Sequence, residues 1–169
     1  MKRIWHDLEI YLHGNTPTLL ADLNPPASAA QTRQLEKQLD VTLPQDFVQC
    51  LMLHDGQQGK AAGLFEGYEF LSTRKISLEW AALRRLLDRG DLDEPLGKAN
   101  PAVLHVWWDP RWIPFASNGA GDSLCLDLAP AAAGRSGQVI SYSHEFPQRS
   151  VKAPGFSAWL KAFANRSQA

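Results

Sequence analysis

Residues 112–128 read WIPFASNGAGDSLCLDL, two short runs of β-branched, aromatic and other apolar residues separated by NGAGD. Runs of this kind pair only if the connection reverses direction within a few residues, and Asn and Gly reach positive φ at low cost. Asn118, Gly119 and Gly121 are expected to take such conformations and Asp122 to hydrogen-bond the turn backbone, so that WIPFAS and SLCLDL form a hairpin. A phosphate-binding loop is the competing reading, and it fails. A dinucleotide fingerprint needs a third glycine and a helix N-terminus behind it, whereas SLCLDL reads as strand, and no Walker-type Lys-Ser/Thr pair follows.

The hairpin belongs to a strand-rich second half. VLHVWW, WIPFAS, SLCLDL and QVISYS are each predicted as strands, and RSVKAP as an edge strand. The first half reads as helix. Ile4, Leu8 and Tyr11/Leu12 recur at helical spacing up to Gly14; Ser28 and Gln31 have capping-box spacing ahead of Leu35 and Leu39. Pro44 suits a first helical position, with Phe47, Val48, Leu51 and Met52 as the buried face and His54-Asp55-Gly56 as the close. In that close the Gly takes the left-handed conformation and the His faces the negative end of the dipole.

LFEGYEFLS is predicted as a strand pair or a strand bent at Gly67, and Ser72 caps a helix carrying Ile76, Trp80, Leu83 and Leu87 and ending at Gly90. Phe156, Trp159/Leu160 and Phe163 mark a closing helix. The expected fold is α+β: N-terminal helices on a mostly antiparallel sheet with a closing helix.

At 169 residues and 44% hydrophobic the chain suits one domain over 1–169, with 24–28, 91–101 and 129–138 as surface loops and no internal repeat. The formal charge of -1 argues against direct nucleic-acid binding, which draws its affinity from a basic stripe. Cys50 and Cys125 lie in apolar segments and read as buried reduced thiols, a disulfide being the alternative. His6, Asp7 and Glu9 interrupt the N-terminal apolar residues, so neither a signal peptide nor a membrane span is expected, and the cytoplasm is the default location.

Candidate chemistry is sparse. The sequence lacks G-x-S-x-G, H-E-x-x-H and C-x-x-C patterns. The one possible cluster joins Asp122 and Asp127 to His144 and Glu145 as an oxygen-rich cation site, from which Asp122, Asp127 and His144 would serve a metal-assisted hydrolase. His54-Asp55 is either a helix close or a catalytic or metal corner, and no second ligand stands at suitable spacing.

Taken together, LPQDFVQCLMLHDGQ (43–57), GLFEGYEFLS (63–72), WWDPRWIPFASNGAGDSLCLDL (107–128), GQVISYSH (137–144) and FSAWLKAFA (156–164) resemble the SUKH superfamily. That superfamily holds the fungal Smi/Knr cell-wall-assembly regulators and bacterial toxin-immunity proteins. Its signature falls on Leu43, Pro44, His54, Asp55, Gly56, Trp112, Pro114, Phe115, Gly119, Gly121, Asp122 and Asp127. The resemblance implies an α+β fold, no enzymatic activity, no cofactor or metal, and action through a protein partner.

The compact chain looks more like a bacterial member, so the leading expectation is an immunity protein that neutralises a toxin effector. A regulatory scaffold of the cell-wall type is the alternative. Candidate partner contacts are His54, Asp55, Gln57, Gln58, Glu66, Glu69, Asp91, Asp93, Glu94, Asn118 and Asp122, all in loops or beside them.

Overall fold

The structure is a computed structural model that describes residues 1–94 and 96–167. Helices α1 (Lys2–Asn15), α2 (Pro17–Ala21), α3 (Ala29–Leu39) and α4 (Gln45–Leu51) come first. Strand β1 (Glu69–Phe70), helix α5 (Thr73–Asp88), strands β2 (Trp112–Ser117), β3 (Ser123–Asp127), β4 (Gln138–Tyr142) and β5 (Ser150–Ala153), and helix α6 (Phe156–Ser167) complete the chain. The strands form one five-stranded antiparallel sheet in sequence order, β1-β2-β3-β4-β5. The expected α+β class is therefore what forms.

Alternation along the strands explains why the central strands β2–β4 are buried on both faces, whereas the edge strand β5 is largely exposed. Ile113, Phe115, Leu126 and Val139 join Trp5, Phe47, Phe70, Phe156 and Trp159 in the larger core, roofed by α1, α4 and α6. Trp112, Cys125, Ile140 and Tyr142 point the other way into a second core with Trp107 and Trp108, against which Trp80, Leu83 and Leu87 of α5 pack. All six residues of β2 are consequently buried. Pro114, which has no N–H to donate, sits at a register shift between Pro114 and Ala116, the kind of irregularity that tolerates proline in an inner strand.

The helix ends follow their side chains. Ser28 Oγ accepts the Gln31 amide while Gln31 Oε1 accepts the Ser28 amide, a complete capping box. Ser72 Oγ accepts the Lys75 amide at the start of α5. Pro44 stands at the N-cap of α4, one position before the expected one.

Other local readings differ from the sequence-based expectation. Cys50 joins Phe47 and Leu51 in the core, where Trp5 Nε1 donates to its Sγ at 3.2 Å, and Met52 is exposed. VLHVWW is irregular: Val103, Trp107 and Trp108 are buried by the second core without joining the sheet. Propensity for strand was outweighed there by tertiary packing. The short α2 follows a Thr-Pro start that offered no periodicity to read.

Both cysteines are buried and free. They lie in different cores, Cys50 in the larger and Cys125 in the second. Burial pushes the Cys50 thiol up to about 12 and raises Cys125 as well, which suits unreactive packing residues. No helix among the described residues is long and apolar enough to cross a membrane.

Candidate protein-interaction site

NGAGD is the β2–β3 connection. Trp112 pairs with Asp127 and Ser117 with Ser123, closing the hairpin at Asn118–Asp122. Asn118 holds the corner together, and it does so with negative φ: its Oδ1 accepts the amides of Ala120 and Asp122 at 2.9 and 3.1 Å, and its own amide donates to the Asp122 carbonyl. The backbone-bonding role expected of Asp122 thus belongs to Asn118. Asp122 Oδ2 accepts from Asn118 Nδ2 at 3.1 Å, and Oδ1 lies 3.6 Å from Nδ1 of His144. Gly121, at φ +100°, lies so close under the His144 ring that an added Cβ would overlap it. Burial acts to raise the Asp122 carboxyl, but Ser143, Asn118 and His144 around it outweigh burial and hold it below the usual range.

The proposed cation cluster does not assemble. Asp127 is fully buried at the far end of β3 from Asp122, where Oδ2 accepts from Gln138 Nε2 at 2.8 Å and Oδ1 from the Ala129 amide at 3.0 Å. Its acceptors are already used. Among the described residues no group of three His, Cys, Asp or Glu is arranged to hold a metal ion.

The loop 54–58 is also occupied from within. His54 bridges Glu9 through Nε2 at 2.6 Å and the Asn24 carbonyl through Nδ1 at 3.2 Å, so it ties α1 to the 24–28 loop instead of facing the end of α4. Asp55 accepts both the amide and the hydroxyl of Thr73 at the start of α5. Gly56, at φ +66°, presses against the backbone of Leu71 and Ser72.

Gln57, read from sequence as a surface contact, has an exposure of 0%. Its amide donates to Asp22 Oδ2 and to the Ala62 carbonyl, and its Oε1 accepts the amides of Leu64 and Phe70. A side chain of this polarity is buried only because each of its groups is matched, and it ties the end of α2 and the 57–64 loop to β1. Gln58 beside it is exposed. Glu66 is exposed and pairs with Arg166 at 3.3 Å, while Glu69 pairs with Lys75.

Two of the remaining candidates, Asp91 and Glu94, line one groove. A groove of about 370 Å³ opens between the outer side of α5 and the corner of the sheet. Its apolar surface comes from Leu83, Leu86, Leu92, Trp107 and Tyr142; Glu79, Asp91 and Glu94 supply the charge, and Gly121 and His144 close the hairpin end. Asp93 is exposed on the same 91–94 segment. Burial and the neighbouring Glu69 push the Glu79 carboxyl up.

The groove floor is held rigidly. Arg149, 6% exposed, donates to the carbonyls of Trp107, Phe146 and Gln148, and its guanidinium lies 4.5 Å from the Tyr142 ring centre and 5.5 Å from that of Trp107. Trp80 Nε1 donates to the Pro110 carbonyl at 2.7 Å, and Arg111 grips Asp109 through two 2.8 Å bonds, so the 107–111 loop is fixed against α5.

Comparison with known proteins adds the family. The profile of the SMI1 / KNR4 family (SUKH-1) matches residues 26–162. This chain belongs to the SMI1/KNR4 family. Its relatives include the cell wall biosynthesis/cell cycle regulator smi1 of Schizosaccharomyces pombe, 29% identical over 95% of this chain and 34% of the relative. The glucan synthesis regulatory protein of Neurospora crassa is 25% identical over 95% of this chain and 37% of its own length. The cell wall assembly regulator SMI1 of Saccharomyces cerevisiae is 23% identical over 98% of this chain and 40% of its own length. The chain thus spans 34–40% of the length of these relatives, and each of the three is named as a regulator.

In this SMI1/KNR4 chain the signature positions do structural work. Leu43, Trp112 and Phe115 are core residues, Pro44 and Asp55 cap helices, Pro114 sits at the register shift, and Asp127 anchors Gln138. Gly56, Gly119 and Gly121 all carry positive φ. Of the residues read from sequence as partner contacts, Asp91 and Glu94 line the groove and Asn118 and Asp122 do not; Glu79, Leu86, Trp107 and Tyr142 line it without having been among them. The one local signal was Glu79 and Leu86 on the side of α5 that its Ile76-Trp80-Leu83-Leu87 stripe leaves uncovered.

Proposed function

We propose that this chain is a non-catalytic module that regulates by binding a protein partner, with the α5–sheet groove as the contact surface. The observation that supports it most is the assembly of that groove from five separate stretches, α5, 91–94, Trp107, the hairpin corner, and Tyr142 and His144 at and just past the end of β4, on a floor braced by Arg149. A rigid concave surface with aromatic and aliphatic groups at its centre is what a binding hot spot requires. The acidic residues that would have served a hydrolase are instead separated, and Asp127 is committed to Gln138 and Ala129.

Between the two roles implied by the family resemblance, the relatives favour the regulatory scaffold. They are named for cell-wall biosynthesis, glucan synthesis and cell-wall assembly, and none of the three is named for toxin neutralisation.

The test is a domain exchange. This chain replaces the matching segment of the fission-yeast relative, and growth is scored on a wall-perturbing dye. Restored growth supports the regulatory role. No restoration by a chimera that is present and folded, where the relative's own segment restores growth, overturns it; relief of a toxin effector's lethality on co-expression would then put the immunity role in its place. Asp127→Ala is unsuitable as a probe of chemistry because Asp127 holds the sheet end, so Asp122→Asn is the variant that reports on the hairpin acid.

A further inference from the structure

The groove also carries information about what enters it. Its charged lining consists of Glu79, Asp91 and Glu94, and no Lys or Arg lines it among the described residues. None of these three carboxylates takes part in an ion pair among the described residues, although Glu66, Glu69, Asp88 and Asp109 each have a basic partner. The exposed bases of α5 do not compensate. Arg84 is bound to Asp88, and neither Arg84 nor Arg85 contributes to the lining.

Glu79 is the informative member. It is half-buried beside Leu83 and Leu86, so its carboxylate has lost part of its hydration without gaining a protein cation. Taking a carboxylate out of water is unfavourable unless an opposite charge or donors replace the water. Arg149 does not fill that role: its guanidinium is buried behind the Tyr142 and Trp107 rings, and its hydrogen bonds go to backbone carbonyls. The complement to an apolar floor with three unpaired carboxylates is a cationic side chain on an apolar stem, flanked by apolar neighbours. Arg and Lys both lay their methylenes along apolar surface while the charged head reaches acceptors.

Resting on the protein-binding reading above, we infer that the α5–sheet groove takes a basic, apolar-flanked segment of the partner, its Arg or Lys directed at Glu79, Asp91 and Glu94 and its apolar residues seated on Leu86, Leu92 and Trp107. The same charge pattern disfavours nucleic acid and anionic membrane surfaces, which would bring phosphate to a carboxylate-lined wall.

The test uses the full chain labelled with ¹⁵N and titrated with three short peptides of equal length: alternating Leu and Arg, alternating Leu and Glu, and alternating Ser and Arg. The Leu/Arg peptide should shift the amides of Glu79, Leu86, Leu92 and Gly121 and the Trp107 indole resonance, while the other two leave them in place. Changing Glu79→Gln, Asp91→Asn and Glu94→Gln together should weaken the Leu/Arg peptide roughly tenfold, as the loss of two or three partly screened ion pairs implies. Leu86→Ser should weaken it separately, with the circular-dichroism spectrum unchanged in both variants.

Equal response to the Leu/Glu peptide, shifts confined to another face, or no shift at millimolar Leu/Arg peptide overturns the inference. The domain exchange separates the two levels. Undiminished growth with the three-carboxylate variant defeats the basic-segment inference and leaves the regulatory reading standing, whereas failure of the unaltered chain in that exchange defeats the regulatory reading whatever the peptides do.

Discussion

Replacing Gln57 by Ala tests whether the 54–58 loop is framework or contact surface. The side chain is fully buried and satisfies four partners: Asp22 Oδ2 and the Ala62 carbonyl as acceptors, the Leu64 and Phe70 amides as donors. Truncation leaves two backbone N–H groups without an acceptor in a site closed to solvent, at about 1–3 kcal/mol each. Asp22 keeps the Gly59 and Lys60 amides, so its share of the loss is small.

The expected destabilisation from Gln57→Ala is therefore about 2–6 kcal/mol, a large part of the roughly 5–15 kcal/mol that holds a domain folded. Urea unfolding followed by Trp fluorescence measures it by linear extrapolation. Gln57→Glu sharpens the test. It keeps the acceptor for Leu64 and Phe70 but puts a carboxylate oxygen where an amide now lies 3.0 Å from Asp22 Oδ2, so this variant should be destabilised at neutral pH and recover part of the loss below about pH 5, where one of the two acids protonates. A loss under about 1 kcal/mol for Gln57→Ala, or a Gln57→Glu variant whose deficit ignores pH, would refute the reasoning and return Gln57 to the surface.

Other perturbations follow from the same packing. Gly56→Ala combines a left-handed φ with backbone overlap at Leu71 and Ser72 and should cost about 2–4 kcal/mol, read as a lower urea midpoint with an unchanged slope. Arg149→Met leaves the Trp107, Phe146 and Gln148 carbonyls without their donor and should cost about 2–4 kcal/mol, with a loss of near-ultraviolet circular dichroism from the second core. Burial works to raise the Asp22 carboxyl, but the amides of Lys60 and Gly59 and the side chain of Gln57 outweigh burial and hold it low. Its stabilisation is present above the unfolded value of about 4 and is lost as pH falls through the folded value. Burial raises Asp127 instead, so its contribution has the opposite sign, present below about pH 4 and lost as pH rises through the folded value. Asp22→Asn should accordingly flatten the loss of stability measured by urea unfolding between pH 6 and 3.

The elements most readable from sequence were those whose cause is local. The Ser28 and Ser72 caps, the α5 stripe and the WIPFAS–SLCLDL hairpin each depend on residues within a few positions of one another, and each formed as read. VLHVWW had the same composition as a strand and did not become one, because Trp107 and Trp108 are worth more packed into the second core than paired at a sheet edge. Asn118 and Asp122 were both assigned to the turn, but which of them holds its backbone depends on φ values that composition does not specify.

The candidate site divides along the same line. A hairpin at Asn118–Asp122, an acidic stretch at 91–94 and an amphipathic α5 follow from the order of residues alone, since turn chemistry, charge and helical period are short-range properties. That these three meet at one groove, that Glu79 faces it without a cation while Asp127 is sealed at the opposite strand end, and that Gln57 is interior while Gln58 is exposed were decided only when the strands came into register. The reason is the two-residue period of a strand and the long reach of sheet pairing: neighbours in sequence go to opposite faces, and residues dozens of positions apart become neighbours.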